Sequence, residues 1–186
     1  MKNATNMRCE IEEIPAAVQR LLDHSGAQVA NLASTIRDFD PRFAVTVARG
    51  SSDHACTFLK YAFEMELGLP VASVGPSVAS IYNRSMKLDR ALCLAISQSG
   101  MSPDIVAMAR SANVAGALSV AVTNDIASPL AETATHAIDI CAGPERSVAA
   151  TKTFVTSVVS GLMLLAELSR PLRGQSCRPK ACFTTR

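Results

Sequence analysis

Tryptophan is absent, and phenylalanine and tyrosine bring the aromatic share to only 4% of 186 residues. A surface that stacks on single-stranded bases is therefore short of its main component. Charge of either sign is also scarce: 18 Lys and Arg against 16 Asp and Glu leave a formal net charge of +2. That is too little for a nucleic-acid face. Several of the basic residues crowd the last stretch (Arg170, Arg173, Arg178, Lys180, Arg186). No apolar run approaches the roughly 18 residues of a membrane span. The segment Met1 to Glu13 carries Glu10, Glu12 and Glu13 and lacks the apolar centre of a signal peptide. The expectation is a cytoplasmic protein with neither a nucleic acid nor a membrane as partner.

Familiar signatures are missing too. Of the six cysteines (Cys9, Cys56, Cys93, Cys141, Cys177, Cys182), no two stand as Cys-x-x-Cys, and no His lies near a Cys pair at ligand spacing. Cys93 and Cys141 sit in apolar runs, where cysteine behaves as a small hydrophobe. Gly-x-Gly-x-x-Gly and Gly-x-x-x-x-Gly-Lys-Ser/Thr do not occur, which removes the usual dinucleotide and nucleotide cradles.

What is present is a pattern of helices first, then strands alternating with helices. Helical stripes cover Ile11 to Leu22 and Ala27 to Phe39. Apolar runs follow at Phe43–Ala48, Pro70–Val74, Leu92–Ile96, Leu118–Val122 and Ala137–Ile140. Between them lie helical patterns at Ala55–Leu67, Ser77–Tyr82 and Asp104–Ala115, with a short turn near Ser128–Thr133. Runs without alternation describe strands covered on both faces. Strands separated by helices imply right-handed crossovers and a parallel sheet. The fold class is α/β: a flavodoxin-like three-layer αβα sandwich with a five-stranded parallel sheet. Three parts are expected: N-terminal helices over 1–41, a binding domain over 42–169, and an unstructured tail over 170–186.

Three turns carry the chemistry. Ser97-Gln98-Ser99-Gly100, followed by Ser102, Pro103 and Asp104, joins a buried strand to a helix. Free amides and the helix dipole at such a junction attract an anion, and serine hydroxyls add donors. Ser99 and Ser102 are equally suited to capping the helix with no ligand, and both readings stand. Gly50-Ser51-Ser52-Asp53 occupies the same kind of place after the first strand. Gly143-Pro144-Glu145-Arg146-Ser147-Val148-Ala149-Ala150-Thr151-Lys152 does so after the last. The ligand suggested is small, phosphorylated and hydroxylated. The final helix pattern, Val148 to Leu168, is almost uncharged, which calls for a cover from another subunit or domain.

Taken together, these turns resemble the sugar isomerase (SIS) domain, over roughly residues 8 to 169. Within that family they resemble the branch holding the isomerase half of glucosamine-6-phosphate synthase and the SIS-type glucosamine-6-phosphate deaminases. The resemblance implies a hexose or aminohexose 6-phosphate ligand and acid–base chemistry with neither metal nor organic cofactor. It implies phosphate contacts from Ser97, Ser99 and Ser102 with the amides around Gln98 and Gly100. It places Gly50, Ser51 and Ser52 on the phosphate side and the sugar hydroxyls, and Val148 and Ala149 along the sugar. Ala150 stands where the branch often has a serine. Lys152 reads either as a sugar contact or as a lysine on the helix face, and Glu145 either approaches the sugar or pairs with a basic group. His54 suits a packing role, and His24 and His136 a surface or strand edge. Enzymes of this branch carry two such domains, with the acid/base Glu, ring-opening His and C-terminal Lys in the second. No matching Glu–His pair is found here, so the catalytic residues are unknown. No Cys follows Met1, so glutamine-dependent synthesis is not expected. The change of character after Ser169 suggests a truncation or frameshift. The chain is expected to form a homo-oligomer, at least a dimer. An oligomeric single-domain aldose–ketose isomerase is the alternative, and a phosphosugar-sensing module a more distant one.

Overall fold

Five strands lie side by side, all parallel, in the order β2-β1-β3-β4-β5. They are β1 (Phe43–Ala48), β2 (Val71–Ser73), β3 (Ala91–Ile96), β4 (Leu118–Thr123) and β5 (His136–Asp139). The computed structural model describes residues 5–170; beyond Arg170, the expected tail lies outside the described residues. All six residues of β3 and of β4 are buried, as their unbroken apolar composition requires. In register, Val45 stands beside Cys93, Leu94 beside Val120, and Val122 beside Ile138.

Because side chains alternate along a strand, the sheet builds two cores. Leu92, Leu94 and Ile96 enter one with Val120, Val122, Leu59 and Phe63. Cys93 and Ala95 enter the other with Val45, Val47, Ile105, Met108 and Leu130. The first is covered by α2 (Ile14–Phe39), α3 (Ser51–Leu67) and α7 (Lys152–Ser169). The second is covered by α4 (Ser77–Ser80), α5 (Pro103–Val114) and α6 (Pro129–Thr133). The three-layer sandwich on five parallel strands is as expected.

The N-terminal helices divide elsewhere than expected. A short α1 (Asn6–Glu12) is capped by Thr5, whose Oγ1 accepts the Arg8 N–H at 3.3 Å. The break comes at Glu13, just before Pro15, which suits a first helical turn and not an interior. From there α2 runs unbroken for 26 residues, through Ser25 and Gly26. Tertiary bonding overrides their low helix propensity. Ser25 Oγ donates to the Asp139 carbonyl (2.9 Å), and Gln28 Nε2 to that of Ala137 (2.8 Å). Arg20 donates to the carbonyls of Cys141 (3.2 Å) and Ala142 (3.0 Å). The helix thus blunts the open edge of β5, which would otherwise invite another strand.

The reading of α7 as a face needing an outside cover is corrected. The helix is not an unbroken apolar run. Over its 18 residues the mean hydropathy is still 1.3, enough by length and composition alone to pass for a membrane span, which the sequence reading did not expect. Yet it packs between α2 and α3 of its own chain. Its inner face is built of small groups, Thr153, Ser157, Ser160 and Gly161 among them. At Gly161 an added Cβ would lie 2.4 Å from Leu59 Cδ1, so glycine is what allows α3 to approach.

Candidate functional site

In this strand order the chain leaves β1 for β2 on one side and returns to β3 on the other. The carboxyl ends of β1 and β3 therefore diverge into a crevice, the usual ligand position in open α/β sheets. Arg49 and Gly50 follow β1 and lead into α3; residues 97–102 follow β3 and lead into α5. Both helix N-termini point into the crevice.

The turn after β3 is fixed on all sides. Ser97 N–H donates to Val122 O (3.1 Å), and Gln98 O accepts Asn124 N–H (3.0 Å) and Thr123 Oγ1 (3.3 Å). Gly100 N–H closes on Ser97 O (3.2 Å), while Gly100 O accepts Leu130 N–H (3.1 Å). Gly100 has φ +62°, and a Cβ there would stand 2.0 Å from Ser128 Oγ. Only glycine fits.

With the backbone held, the side chains are released to the crevice. Ser102 is the N-cap of α5 but its side chain makes no cap bond to the amides of the first turn. The capping reading therefore fails at Ser102. The Ser99 hydroxyl accepts Met101 N–H at 3.3 Å, which leaves its proton to donate. Ser52, Ser97, Gln98, Ser99 and Ser102 line one cleft of about 190 Å³ on a floor of Ile96 and Ile105. Gly50 is the residue from which α3 starts, with Ser51 and Ser52 in its first turn. Arg49, a residue the sequence reading did not single out, completes the wall, and its Nε pairs with Asp104 Oδ2. Its position directly after β1, ahead of Gly50, was the available signal.

The third turn is placed differently. Glu145 does not reach toward the cleft. It accepts Thr151 N–H (2.9 Å), Thr151 Oγ1 (2.8 Å) and Thr153 N–H (3.2 Å), and pairs with Thr153 Oγ1. Partial burial works to raise its carboxyl, but the hydroxyl of Thr153 and the amide of Thr151 outweigh it and hold it below the usual carboxylate range. Glu145 is thus the cap of α7, which therefore begins at Lys152 and not at Val148. Val148 and Ala149 are exposed on the loop ahead, outside the cleft lining. Lys152 is 1% exposed, and its ammonium pairs with Glu13 at the start of α2. It borders a separate hollow of about 250 Å³ with Glu10 and Arg146. Glu10 accepts the N–H groups of Arg146 (2.6 Å) and Ser147 (3.2 Å).

The histidines and Glu64 lie outside the cleft lining. His54 is exposed on α3, and Glu64 accepts Val71 N–H at 3.2 Å. His24 and His136 flank a wider hollow of about 510 Å³ between α2 and β5, where Gln28 is already bonded to the strand edge. Burial pushes the thiols of Cys56 and Cys93 up to about 12, so both are inert packing groups. Among the described residues, no group of three or more His, Cys, Asp or Glu could hold a metal ion.

Comparison with known proteins fits this geometry. The family pattern of the SIS domain matches residues 40–167. The chain belongs to the SIS family. Glutamine–fructose-6-phosphate aminotransferase (isomerizing) of Methanothermobacter thermautotrophicus is 35% identical to it over 162 residues, covering 87% of this chain and 27% of that protein. A solved structure from Silicibacter pomeroyi DSS-3, assigned to the phosphosugar isomerases, shares 67% identity with a TM-score of 0.87. That match covers 89% of this chain and 51% of the other. The C-terminal domain of the Francisella tularensis glucosamine-fructose-6-phosphate aminotransferase superposes with a TM-score of 0.77 at 24% identity, over 90% of this chain and 48% of that one, and shares the fold. This SIS domain therefore spans about a quarter of the first relative's length and half of the solved chain's.

Proposed function

We propose that this SIS domain binds a hexose or aminohexose 6-phosphate by its phosphate, in the cleft between β1 and β3, and serves the isomerisation or deamination of amino sugars in the cytoplasm. The observation that carries this reading is the convergence of four serine hydroxyls and Gln98 on two helix starts, with the backbone beneath them already satisfied. That is the environment a phosphate requires: many donors, no exposed carboxylate, and little rearrangement on binding. The named activity of the aminotransferase relatives, on fructose 6-phosphate, supports the sugar class.

Turnover needs more than this cleft. Moving a proton between neighbouring carbons takes a base near neutral pKa, and neither His nor Glu lines the pocket. The acid/base groups then come from outside it, from a second copy of the chain or a further domain. Residues 42–169 act as the binding unit, and α2 contributes Val29, Leu32, Ala33 and Ile36 to its core. A homodimer or larger assembly is part of the same reading, and Phe58, Tyr61 and Met65 on α3 are 51%, 61% and 76% exposed.

Calorimetric titration with fructose 6-phosphate and glucosamine 6-phosphate, with unphosphorylated fructose as control, tests the proposal. Binding is expected for the phosphate esters alone and is expected to disappear in the Ser97→Ala/Ser99→Ala variant. Equal heat with plain fructose, or binding untouched in that variant, would overturn it.

A further inference from the structure

A phosphate monoester carries about −1.5 to −2 charges at neutral pH. Hydroxyls and amides solvate such a charge without neutralising it. Among the side chains that line the cleft, Arg49 is the one cation. It stands on the first residue after β1, facing the α5 start across the crevice, where its Nε pairs with Asp104 Oδ2. Asp104 lies in the first turn of α5, its side chain only 16% exposed, while that of Arg49 is 61% exposed. The ion pair runs through Nε, the inner nitrogen of the guanidinium. Two facts then bear on a ligand. An unpaired carboxylate at the α5 start would repel a phosphate, and Arg49 cancels it. Asp104 Oδ2 is buried and completes no hydrogen bond, so it holds Arg49 by charge alone through Nε, and the outer edge of the guanidinium is the edge suited to two parallel bonds with a phosphate.

We propose that Arg49 is a direct phosphate ligand of this site, positioned by Asp104, and that it makes the cleft select a dianionic phosphate ester over a monoanionic one. The inference rests on reading the cleft as a phosphate site, and it concerns a residue outside the serine turns.

The test compares fructose 6-phosphate with fructose 6-sulfate, which has nearly the same shape and one charge, and adds inorganic phosphate as a probe without sugar. Wild-type protein, Arg49→Gln, Arg49→Lys and Ser97→Ala/Ser99→Ala are titrated side by side. Wild type is expected to prefer the phosphate ester by at least about 10-fold. Arg49→Gln should weaken the phosphate ester by about 10- to 100-fold, as expected for losing a charged hydrogen bond. The sulfate ester should weaken far less, so that the preference collapses toward one, and Arg49→Lys should restore part of it. A residue that only shaped the turn would weaken both esters alike. Equal loss on both esters, or no loss on either, would overturn the proposal. Should Arg49→Gln fail to fold, the phosphate-to-sulfate ratio of Arg49→Lys decides in its place: a ratio as in wild type counts against the proposal. If the serine variant abolishes binding while Arg49→Gln leaves it intact, the phosphate reading stands and this inference falls. Binding lost in Arg49→Gln but kept in the serine variant would overturn the reading of the serine cleft as the phosphate site, and with it the inference that rests on it. No binding of sugar phosphate or inorganic phosphate by wild type removes both.

Discussion

At Gly100 one missing methyl decides whether the turn can exist. The residue combines φ +62° with a site where a Cβ would meet Ser128 Oγ at 2.0 Å, Ser128 Cβ at 2.5 Å and Thr123 Oγ1 at 3.0 Å. Ser128 is 1% exposed and caps α6 by accepting Ala131 N–H at 3.4 Å, so it has nowhere to retreat. Gly100→Ala is therefore expected to cost about 2–4 kcal/mol, from left-handed backbone strain together with overpacking, and to abolish phosphate binding. Urea unfolding and the sugar-phosphate titration check the two effects; wild-type stability in the variant would contradict the account. The same scale shows what sequence can disclose. Hydroxyls beside glycine after an apolar run mark a turn at the carboxyl end of a strand, and Ser52, Ser97, Gln98, Ser99 and Ser102 line one cleft there. Arg49 and Lys152 were not legible in this way. A cation's role is set by the carboxylate it meets in space, and Asp104 and Glu13 lie 55 and 139 positions away in sequence.

At the scale of the element, boundaries follow from tertiary bonds that periodicity does not record. The separate stripes at Ile11 to Leu22 and Ala27 to Phe39 suggested two helices, but the Ser25 hydroxyl between them is spent on β5 and the helix continues. The start of α7 is set by Glu145 reaching forward to Thr151 and Thr153. A related tie joins α1 to the loop before α7. The Ser147 side chain beside Glu10, together with the N–H groups of Arg146 and Ser147, holds the Glu10 carboxyl below its ordinary value of 4.5. A carboxyl lowered on folding stabilises the fold above its unfolded value and loses that contribution as pH falls through the folded one. The stability gap between wild type and Glu10→Gln should thus be full at about pH 7 and shrink steadily below about pH 4.5. Urea midpoints of both proteins across that range measure it, and a gap unchanged at low pH would show that the carboxylate is not what holds the loop.

For the whole molecule, the alternation of helices with continuous apolar runs was enough to predict the parallel sheet, because strands buried on both faces leave no other pattern. The order β2-β1-β3-β4-β5 then puts the two serine turns at one crevice without further instruction. What covers α7 was not predictable, since an uncharged helix looks the same whether its cover is another subunit or the chain's own α2 and α3. The two-core construction makes a testable statement about cooperativity. Cys93 sits on β3, paired on both sides by β1 and β4, with its side chain in one core and its neighbours Leu92 and Leu94 in the other. Uncovering its sulfur means parting both layers from the sheet. Cys9, on α1, is exposed already. In native protein a thiol reagent read out by peptide mass spectrometry should therefore modify Cys9 rapidly. Cys93 should react at a rate that rises with urea along the same slope as global unfolding. Labelling of Cys93 that is fast in water, or flat with urea while Cys9 behaves as expected, would mean that the α4–α5–α6 layer opens on its own and the two cores are not one cooperative unit.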